Sequence, residues 1–283
     1  MTTPSTRDAQ AGERANEHPA LTPDGAYLTG HHAVITGGGH GIGAAIATEL
    51  ARLGARLTLL GRDMGALERH ARLLATEFGS DVATAACDVA DAAAIAGTFA
   101  AARARAGDPY VLVNNAGQAE SARFAETTPE LWHRMLAVNL TATFLCTQQV
   151  LPAMLAAGAG RVVNVASTAG LKGYSRMAAY CAAKHGVVGL TRALALETAK
   201  HGVTVNAVCP GYTDTHMAQR AVRDLARARN VSPEEALTMI TRVNPRGTLM
   251  QPDEIASAVA WLCSPSAAAV TGQAIAVAGG EVT

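Results

Sequence analysis

The sequence has little charge and few aromatic side chains. Of its 283 residues, 16% are charged and 4% are aromatic, and the formal net charge is zero. Because cations are not in excess, we expect no dedicated nucleic-acid-binding surface. No apolar run is interpreted as long enough to span a bilayer, so no membrane partner is expected either.

The chain also lacks paired cysteines. Its five cysteines are scattered, and no two of them have C-x-x-C spacing. This pattern predicts neither a disulfide framework nor a metal site, and it favours a reducing, cytoplasmic location. What is abundant is apolar side chains, at 49% of all residues. That fraction excludes a disordered chain, and the length allows one large core.

Residues 1–30 differ in composition from the rest of the chain. They are rich in Thr, Pro, Asp, Glu and Ala and have no apolar periodicity. They also lack the basic start and the apolar stretch of an export signal. We interpret residues 1–30 as a flexible N-terminal tail, with a part in a subunit contact as the alternative, and residues 31–283 as one domain.

From residue 32 onward, short β-branched runs alternate with longer Ala- and Leu-rich stretches. The short runs show little polar alternation, as expected for strands that are covered on both faces. Repeated strand–helix–strand order predicts an α/β fold, a single doubly wound parallel sheet of about seven strands with helices on both faces. The predicted strands are 33–36, 56–60, 82–85, 110–113, 161–165, 203–208 and 274–277, and the clearest predicted helices are 42–53, 64–78 and 177–200.

A long segment without a strand interrupts this alternation after the sixth predicted strand. It contains two helix-like pieces, 217–228 and 233–242, and the second begins with Ser-Pro-Glu-Glu, which is typical of a helix start. Ligands bind at the carboxyl edge of doubly wound sheets. We therefore interpret residues 212–250 as a helical lid over a substrate, and an inert surface elaboration is the alternative.

The first predicted strand ends in a glycine-rich turn. Residues 36–43 read Thr-Gly-Gly-Gly-His-Gly-Ile-Gly, and a helical pattern follows at once. Glycine allows positive φ and brings backbone N–H groups close to an anion at a helix N-terminus. Between a strand and a helix at the start of a βαβ series, such a turn favours a dinucleotide site.

The end of the second strand indicates which nicotinamide cofactor is preferred. A carboxylate there binds the adenosine ribose diol, whereas an arginine favours the 2′-phosphate. Gly61 takes the usual carboxylate position and Arg62 supplies a guanidinium, while His40 in the glycine turn could add positive charge. We predict a preference for NADP(H). Asp63 keeps NAD(H) as an alternative, and Arg62 could also be a solvated surface residue.

Several polar residues occupy positions where chemistry is expected. Tyr180 and Lys184 are four residues apart in a predicted helix and share one face. Ser167 follows the fifth strand, at the edge where ligands bind. Asn139 is an amide within an otherwise apolar helix and must find hydrogen-bond partners. Asn114, at the end of the fourth strand, is predicted to brace neighbouring strands.

Together these motifs resemble the short-chain dehydrogenase/reductase family from about residue 31 to residue 281. The resemblance implies a Rossmann-like fold and a dinucleotide-binding catalytic domain. Within the family, the run 205–211 and the long lid look most like ketoreductases of polyketide or 3-oxoacyl thioesters. Thr213 and Ala278 depart from the family pattern, which often has an aliphatic residue and an aspartate there. The matched motifs are T-G-x-x-x-G-x-G at 36–43, D-V at 88–89, N-N-A-G at 114–117, Y-x-x-x-K at 180–184 and P-G at 210–211.

The resemblance implies hydride transfer between a nicotinamide and a carbonyl carbon, with four catalytic residues. Ser167 would orient the substrate oxygen, and Tyr180 would be the general acid in reduction and the base in oxidation. Lys184, together with the positive charge of an oxidised nicotinamide, would lower the pKa of Tyr180, and Lys184 would also hold the nicotinamide ribose. Asn139 would anchor a water that relays protons.

The same resemblance implies the cofactor contacts. Asp88 and Val89 would line the adenine pocket, and Asn115 would line the adjoining ribose region. Thr213 and Thr215 would bind the carboxamide or the phosphates. The full predicted set is Gly37, Gly39, His40, Gly41, Ile42, Gly43, Arg62, Asp88, Val89, Asn115, Ala116, Gly117, Tyr180, Lys184, Pro210, Gly211, Thr213 and Thr215.

The sequence therefore predicts an oxidoreductase that uses NADP(H) to reduce a 3-oxoacyl thioester or a polyketide-like ketone. The alternatives are an NAD-dependent dehydrogenase of 3-hydroxyacyl-CoA or another secondary alcohol, and a non-catalytic cofactor-binding protein. Arg220, Arg223 and Arg227 have helical spacing in the lid, where they could attract coenzyme A or an acidic acyl carrier protein, or form a solvated helix face. The family resemblance implies a homo-oligomer, a tetramer or a dimer.

Overall fold

A computed structural model describes residues 25–282, and their centre is one parallel sheet. The strands are β1 His32–Thr36, β2 Arg56–Gly61, β3 Val82–Ala86, β4 Val111–Asn114, β5 Gly160–Val165, β6 Val203–Pro210 and β7 Ala274–Val277. Their order across the sheet is β3-β2-β1-β4-β5-β6-β7. β2 and β3 thus lie on one side of β1, and β4 to β7 lie on the other side. This order confirms the predicted doubly wound fold.

The helices lie on both faces of the sheet. They are α1 Gly41–Arg52, α2 Met64–Phe78, α3 Ala92–Ala106, α4 Pro129–Leu136, α5 Ala142–Ala157, α6 Ala178–Thr198, α7 His216–Arg229, α8 Pro233–Thr241 and α9 Pro252–Cys263. On one face, Ile46 of α1 and Val259 of α9 share a core cluster with the strands. On the other face, Phe99 of α3 and Val150 of α5 do the same. Because both faces are covered, the strands carry few polar side chains.

The segment before β1 is packed where the sequence predicted a tail to residue 30. Leu28 is buried in the core, and the Tyr27 hydroxyl donates to the backbone oxygen of Ala260 in α9 at 2.6 Å. Apolar residues near the end of the predicted tail therefore belong to the packed domain. Residues 1–24 of the predicted tail lie outside the described residues.

A continuous helix over Pro129–Ala157 joins α4, a π-helical turn at Ala137–Thr141, and α5. By length and hydropathy alone it is long and apolar enough to cross a membrane, because an 18-residue stretch of it has a mean hydropathy of 1.3. The absence of a long uninterrupted apolar run in the sequence therefore does not prevent a helix from meeting this criterion. Polar but uncharged Asn, Thr and Gln side chains interrupt the apolar run, although residues 135–160 contain no ionised side chain. In the fold this helix packs one face against the sheet through Cys146, Val150 and Met154.

Candidate active site

In the glycine turn between β1 and α1, backbone atoms pack so closely that a side chain on Gly43 would collide with them. A Cβ atom on Gly43 would lie 2.2 Å from the carbonyl oxygen of Gly37, and Gly37 has φ of +69°. His40 is the N-cap of α1 but makes no side-chain capping bond. The first N–H groups of α1 therefore have no side-chain acceptor from the cap, as in a phosphate site at a helix N-terminus.

Asn115 braces this turn through its side chain, and its predicted place beside the ribose stays a prediction. Its side-chain amide donates to the backbone oxygens of Thr36 and Gly37, at 3.0 and 3.2 Å. Both amide hydrogens are therefore engaged inside the protein. The position was assigned by motif alone, and a motif does not show which way the amide points.

A cleft of about 470 Å³ lies at the carboxyl ends of the first four strands. Among the residues predicted for the cofactor, it is lined by Gly37, Gly39, His40, Arg62, Asp88, Val89, Ala116 and Gly117. Gly61 and Asp63, which the sequence places at the end of the second strand, line it as well, and sequence reasoning missed Leu67, Cys87, Ala90, Gln118, Arg134 and Val138. Cys87 adjoins a predicted residue, whereas Arg134 comes from α4 and carries no local signal. The glycine cradle and the cleft at this edge fit a dinucleotide.

The two charged residues that follow β2, Arg62 and Asp63, differ in their contacts. Asp63 is the N-cap of α2, accepting from the backbone N–H of Ala66 at 3.0 Å, and it lies 3.4 Å from the His40 ring. The Ala66 hydrogen bond, with a further contribution from His40, lowers the pKa of the Asp63 carboxyl. Arg62 is exposed on the cleft and forms no salt bridge within residues 25–282. The guanidinium is thus the free charge at this position.

Tyr180 and Lys184 lie one turn apart on α6, which packs against the segment after β5. The Lys184 ammonium is 5.8 Å from the centre of the Tyr180 ring and donates to the backbone oxygen of Val165 at 2.9 Å. The Ser167 hydroxyl lies near enough to Tyr180 to lower the pKa of its phenol. The structure therefore brings together Ser167, Tyr180 and Lys184.

Burial dominates the proton equilibria of this group. Desolvation raises the pKa of Tyr180 to about 12, and the opposing contribution comes from the Ser167 hydroxyl. Desolvation also lowers the pKa of Lys184 to about 8. Among the protein groups, burial therefore outweighs Lys184 in setting the Tyr180 pKa, and the predicted joint lowering by Lys184 and an oxidised nicotinamide stays a prediction. An ammonium 5.8 Å from the ring does not overcome the loss of water around the phenol.

Asn139 lies in the π-helical turn and is 1% exposed. Its amide donates to the backbone oxygens of Met135 and Gln118, both at 2.9 Å, and its oxygen accepts from the Gln118 N–H at 3.2 Å. A Cβ on Gly117 would lie 2.8 Å from that oxygen and 3.7 Å from the Lys184 ammonium. Asn139 therefore fixes the backbone beside Lys184, and its predicted water relay stays a prediction.

Asn114 links strands behind the site, as predicted. Its amide donates to the side chains of Asn164 in β5 and Thr147 in α5, at 2.9 and 3.1 Å. The Asn164 amide in turn donates to Thr191 of α6 at 2.9 Å. This buried chain of side chains connects the sheet to the helix that carries Tyr180.

The segment predicted to be a lid begins directly over the glycine turn, and its role over a substrate stays a prediction. Thr213 forms a bridge to Met250 that joins the two ends of the lid, and the Thr215 hydroxyl caps α7. A Cβ on Gly41 would lie 2.9 Å from Thr215 Cγ2. α7 and α8 run over His216–Arg229 and Pro233–Thr241, close to the two helical pieces that the sequence predicts. Of the predicted cofactor residues, Gly41, Ile42, Gly43, Asn115, Tyr180, Lys184, Pro210, Gly211, Thr213 and Thr215 do not line the cleft itself.

Comparison with known proteins gives consistent matches. Residues 31–226 match the family model described as short chain dehydrogenase. The chain is 47% identical over 250 residues to "Granaticin polyketide synthase putative ketoacyl reductase 1" of Streptomyces violaceoruber, covering 88% of this chain and 92% of that protein. It is 37% identical over 247 residues to D-beta-hydroxybutyrate dehydrogenase of Cupriavidus necator, covering 87% and 95%.

A solved structure extends the similarity to the fold. A variant of actinorhodin polyketide ketoreductase, crystallised with NADPH, has a TM-score of 0.85 and 44% identity to this chain. The match covers 88% of this chain and 96% of that protein.

Proposed function

The chain belongs to the short-chain dehydrogenase/reductase family, and from that premise we propose that it reduces a 3-oxoacyl thioester or a polyketide-like ketone with NADPH. As a family member it is an oxidoreductase that acts on a ketone or its alcohol, so a non-catalytic role is set aside. The proposal goes further in the choice of cofactor and of substrate class.

The observation that carries the cofactor proposal is the charge pattern at the end of β2. Arg62 faces the cleft without a salt bridge among the described residues, while Asp63 caps α2 and lies beside His40. An arginine can bind a 2′-phosphate through two parallel hydrogen bonds. A carboxylate engaged as a helix cap is poorly placed to accept from a ribose diol.

The proposed mechanism uses the residues around Tyr180. A bound nicotinamide supplies the hydride. Ser167 hydrogen-bonds and orients the ketone oxygen, and Tyr180 donates the proton to it. With its pKa near 12, the phenol is protonated at neutral pH, which suits the acid needed for reduction. Lys184 binds the ribose hydroxyls, and Asn139 holds the neighbouring backbone in place.

Cofactor preference is tested with Arg62→Ala. We expect the KM for NADPH to rise at least about tenfold, because a charge-assisted hydrogen bond contributes about 1.5–3 kcal/mol. The KM for NADH should change less than about threefold. Arg72→Ala is the matched control, since Arg72 is an exposed arginine that does not line the cleft. Equal losses with both cofactors would reject the 2′-phosphate interpretation.

The second candidate is an NAD-dependent dehydrogenase of a secondary alcohol. The name of the Cupriavidus relative, D-beta-hydroxybutyrate dehydrogenase, supports it. The two candidates separate in one assay that follows nicotinamide absorbance with acetoacetyl-CoA and 3-hydroxybutyryl-CoA, each with both cofactors. A higher kcat/KM for NAD and the alcohol than for NADPH and the ketone would favour the second candidate.

The lid supports a thioester substrate. Arg220, Arg223 and Arg227 are all exposed on α7 and form no salt bridge among the described residues. Such a cationic stripe can attract the phosphates of coenzyme A or an acidic carrier protein. The variant with all three changed to Gln should raise the KM for acetoacetyl-CoA at least about fivefold and leave that for ethyl acetoacetate unchanged. Parallel losses on both would assign the stripe to a solvated helix face.

We also propose a homo-oligomer, a tetramer or a dimer, in a reducing cytoplasm. Phe144 on α5 and Leu196 on α6 are 43% and 83% exposed, which supports apolar helix faces that a second copy covers. The cysteines are all free, which supports a reducing compartment. Sedimentation velocity of the wild type and of Leu196→Asp tests the assembly, and a monomeric wild type would contradict it.

A further inference from the structure

A buried carboxylate lies near the C-terminal end of the chain, outside the cofactor cleft. The Glu281 side chain is fully buried, and the Lys172 ammonium lies 3.0 Å from its Oε1. The Tyr174 hydroxyl donates to the same oxygen. Tyr174 and Thr168 share a hydrogen bond of 2.6 Å between their hydroxyl oxygens. We refer to Thr168, Lys172, Tyr174 and Glu281 as the Glu281 network.

The number of hydrogens on each group determines which group donates in each hydrogen bond of this network. A phenol has one hydrogen, and the ionised carboxylate can only accept. Tyr174 therefore donates to Glu281, and Thr168 must donate to Tyr174. Burial and Glu281 both raise the pKa of Tyr174, which keeps this phenol protonated. The resulting chain of donors runs in one direction, from Thr168 to the carboxylate, and such chains strengthen cooperatively.

The network connects segments that are far apart in sequence. Thr168 directly follows Ser167, so Glu281 is linked to the residue proposed to orient the substrate. On its other side, Glu281 Oε2 lies 3.0 Å from the position of a Cβ on Gly211, just before the lid. That oxygen is buried without a hydrogen-bond partner. The carboxylate is thus held between the Ser167 segment and the start of the lid.

Simple stabilisation is a poor explanation for this arrangement. Taking a carboxylate out of water is unfavourable, and an apolar side chain of similar size is often as stable or more so. Lys172 is still 36% exposed, so the ion pair is not fully shielded. What a buried, directional network supplies is a fixed geometry for the groups attached to it.

We propose that Glu281 is a positioning residue for ketone reduction, which acts through Tyr174 and Thr168 to hold Ser167 at the substrate oxygen. The inference rests on the role proposed for Ser167. It assigns Glu281 no contact with substrate or cofactor. Its loss should therefore affect kcat and leave cofactor binding unchanged.

The test begins with Glu281→Leu, which keeps the volume but removes the acceptor. We expect kcat for ethyl acetoacetate to fall at least about tenfold, since small misplacements of reacting groups can reduce rates by up to about 10². The dissociation constant for NADPH, measured by nucleotide fluorescence, should stay within twofold. Glu281→Gln retains an acceptor for Tyr174 and should recover part of the lost kcat. Glu49→Leu is the control, since Glu49 pairs with Arg52 on α1.

Two double variants test the route of the effect. Tyr174→Phe breaks the same chain, so its combination with Glu281→Leu should lower kcat no further than the larger single change. In the Ser167→Ala background, Glu281→Leu should lower kcat less than twofold. Additive effects, or an unchanged kcat in both single variants, would overturn the proposal. If Glu281→Leu does not fold, Tyr174→Phe alone must show the kcat loss with unchanged NADPH binding.

These outcomes are separable from failure of the proposed function. If Ser167→Ala keeps full activity, the mechanism itself is wrong. If Ser167→Ala loses activity while both single variants of the Glu281 network keep it, only the positioning role is overturned.

Discussion

Burial moves the proton equilibria of Tyr180 and Lys184 toward their neutral forms. The phenol pKa rises to about 12 and the ammonium pKa falls to about 8, both through loss of water. For Tyr180 this shift favours the proton donor that ketone reduction needs. For Lys184 it means that a charge at neutral pH is maintained at the expense of stability.

Replacing the phenol isolates its role. Tyr180→Phe should reduce turnover at least about a hundredfold, the lower range for loss of general acid catalysis. The dissociation constant for NADPH should change little, because the ring and its packing are kept. Steady-state kinetics together with nucleotide fluorescence measure both quantities. Turnover within a few-fold of wild type would remove Tyr180 from the mechanism.

Lys184→Met should stabilise the protein and abolish activity. The pKa of Lys184 lies near 8 in the folded state, below its ordinary value of 10.5. Below pH 8 both folded and unfolded chains carry the charge, so the burial penalty is fully present. Above pH 10.5 both are neutral, and the penalty disappears. At pH 7 we expect a gain of about 1–3 kcal/mol.

Urea unfolding at pH 7 and pH 9.5 measures this gain, which should shrink at the higher pH. Lys200→Met is the control, because Lys200 is exposed and should change stability by less than about 0.5 kcal/mol. A destabilised Lys184→Met at pH 7 would show that its hydrogen bond to Val165 outweighs the desolvation of the ammonium.

At the level of elements, Gly43 in α1 is subject to two opposing effects. Helix propensity favours alanine there, but the glycine turn has no room for a Cβ atom. Within a helix, Ala is normally favoured over Gly by about 1 kcal/mol. Gly43→Ala should nevertheless destabilise the protein by about 1–3 kcal/mol and weaken NADPH binding, because the new Cβ would meet the Gly37 carbonyl. Gly97→Ala in α3 is the matched control. It has no atom within 4 Å of a new Cβ and should stabilise by about 0.5–1 kcal/mol.

Thermal and urea unfolding of both variants provide the comparison. If Gly43→Ala is as stable as Gly97→Ala and binds NADPH normally, the turn must be able to open. In that case, close approach of backbone atoms is not what requires glycine at this position.

Local signals explain which elements the sequence could predict. α2 begins and ends as predicted because Asp63 caps its start and Gly79 adopts the left-handed conformation at its end. The π-helical turn around Asn139 could not be predicted, because it depends on hydrogen bonds to Gln118, 21 residues earlier. The orientation of Asn115 likewise depends on the carbonyls of a different strand end.

Longer-range contacts explain what was missed at the site. Tyr180 and Lys184 could be paired from spacing along one helix face. Glu281 could not be connected to Tyr174, because 107 residues separate them and the contact exists only after β6 and β7 pair. Arg134 reaches the cleft from α4 for the same kind of reason. Motifs identify residues that share a helix or a strand end. Which of these elements come into contact depends on how the strands pair in the sheet.

At the scale of the whole molecule, the reactivity of the cysteine thiols can measure how the folded domain unfolds. All five are buried, and four of them lie in core clusters on both faces of the sheet: Cys263 in α9, Cys87 after β3, Cys146 in α5 and Cys209 in β6. Burial raises the pKa of the Cys146 and Cys263 thiols to about 12 and that of Cys209 to about 11. Protonated, inaccessible thiols react slowly with a disulfide reagent.

We therefore expect that, on average, less than one of the five thiols per chain reacts quickly with 5,5′-dithiobis(2-nitrobenzoate) in the native protein. In urea all five should react. In native buffer the slow labelling should follow one rate constant, because a cooperative domain exposes all its clusters together. NADPH at a hundred times its dissociation constant should slow labelling by up to about a hundredfold, since it stabilises the folded state by about 2.7 kcal/mol. Peptide mapping that finds Cys263 labelled well ahead of Cys146 would show instead that the two faces of the sheet open separately.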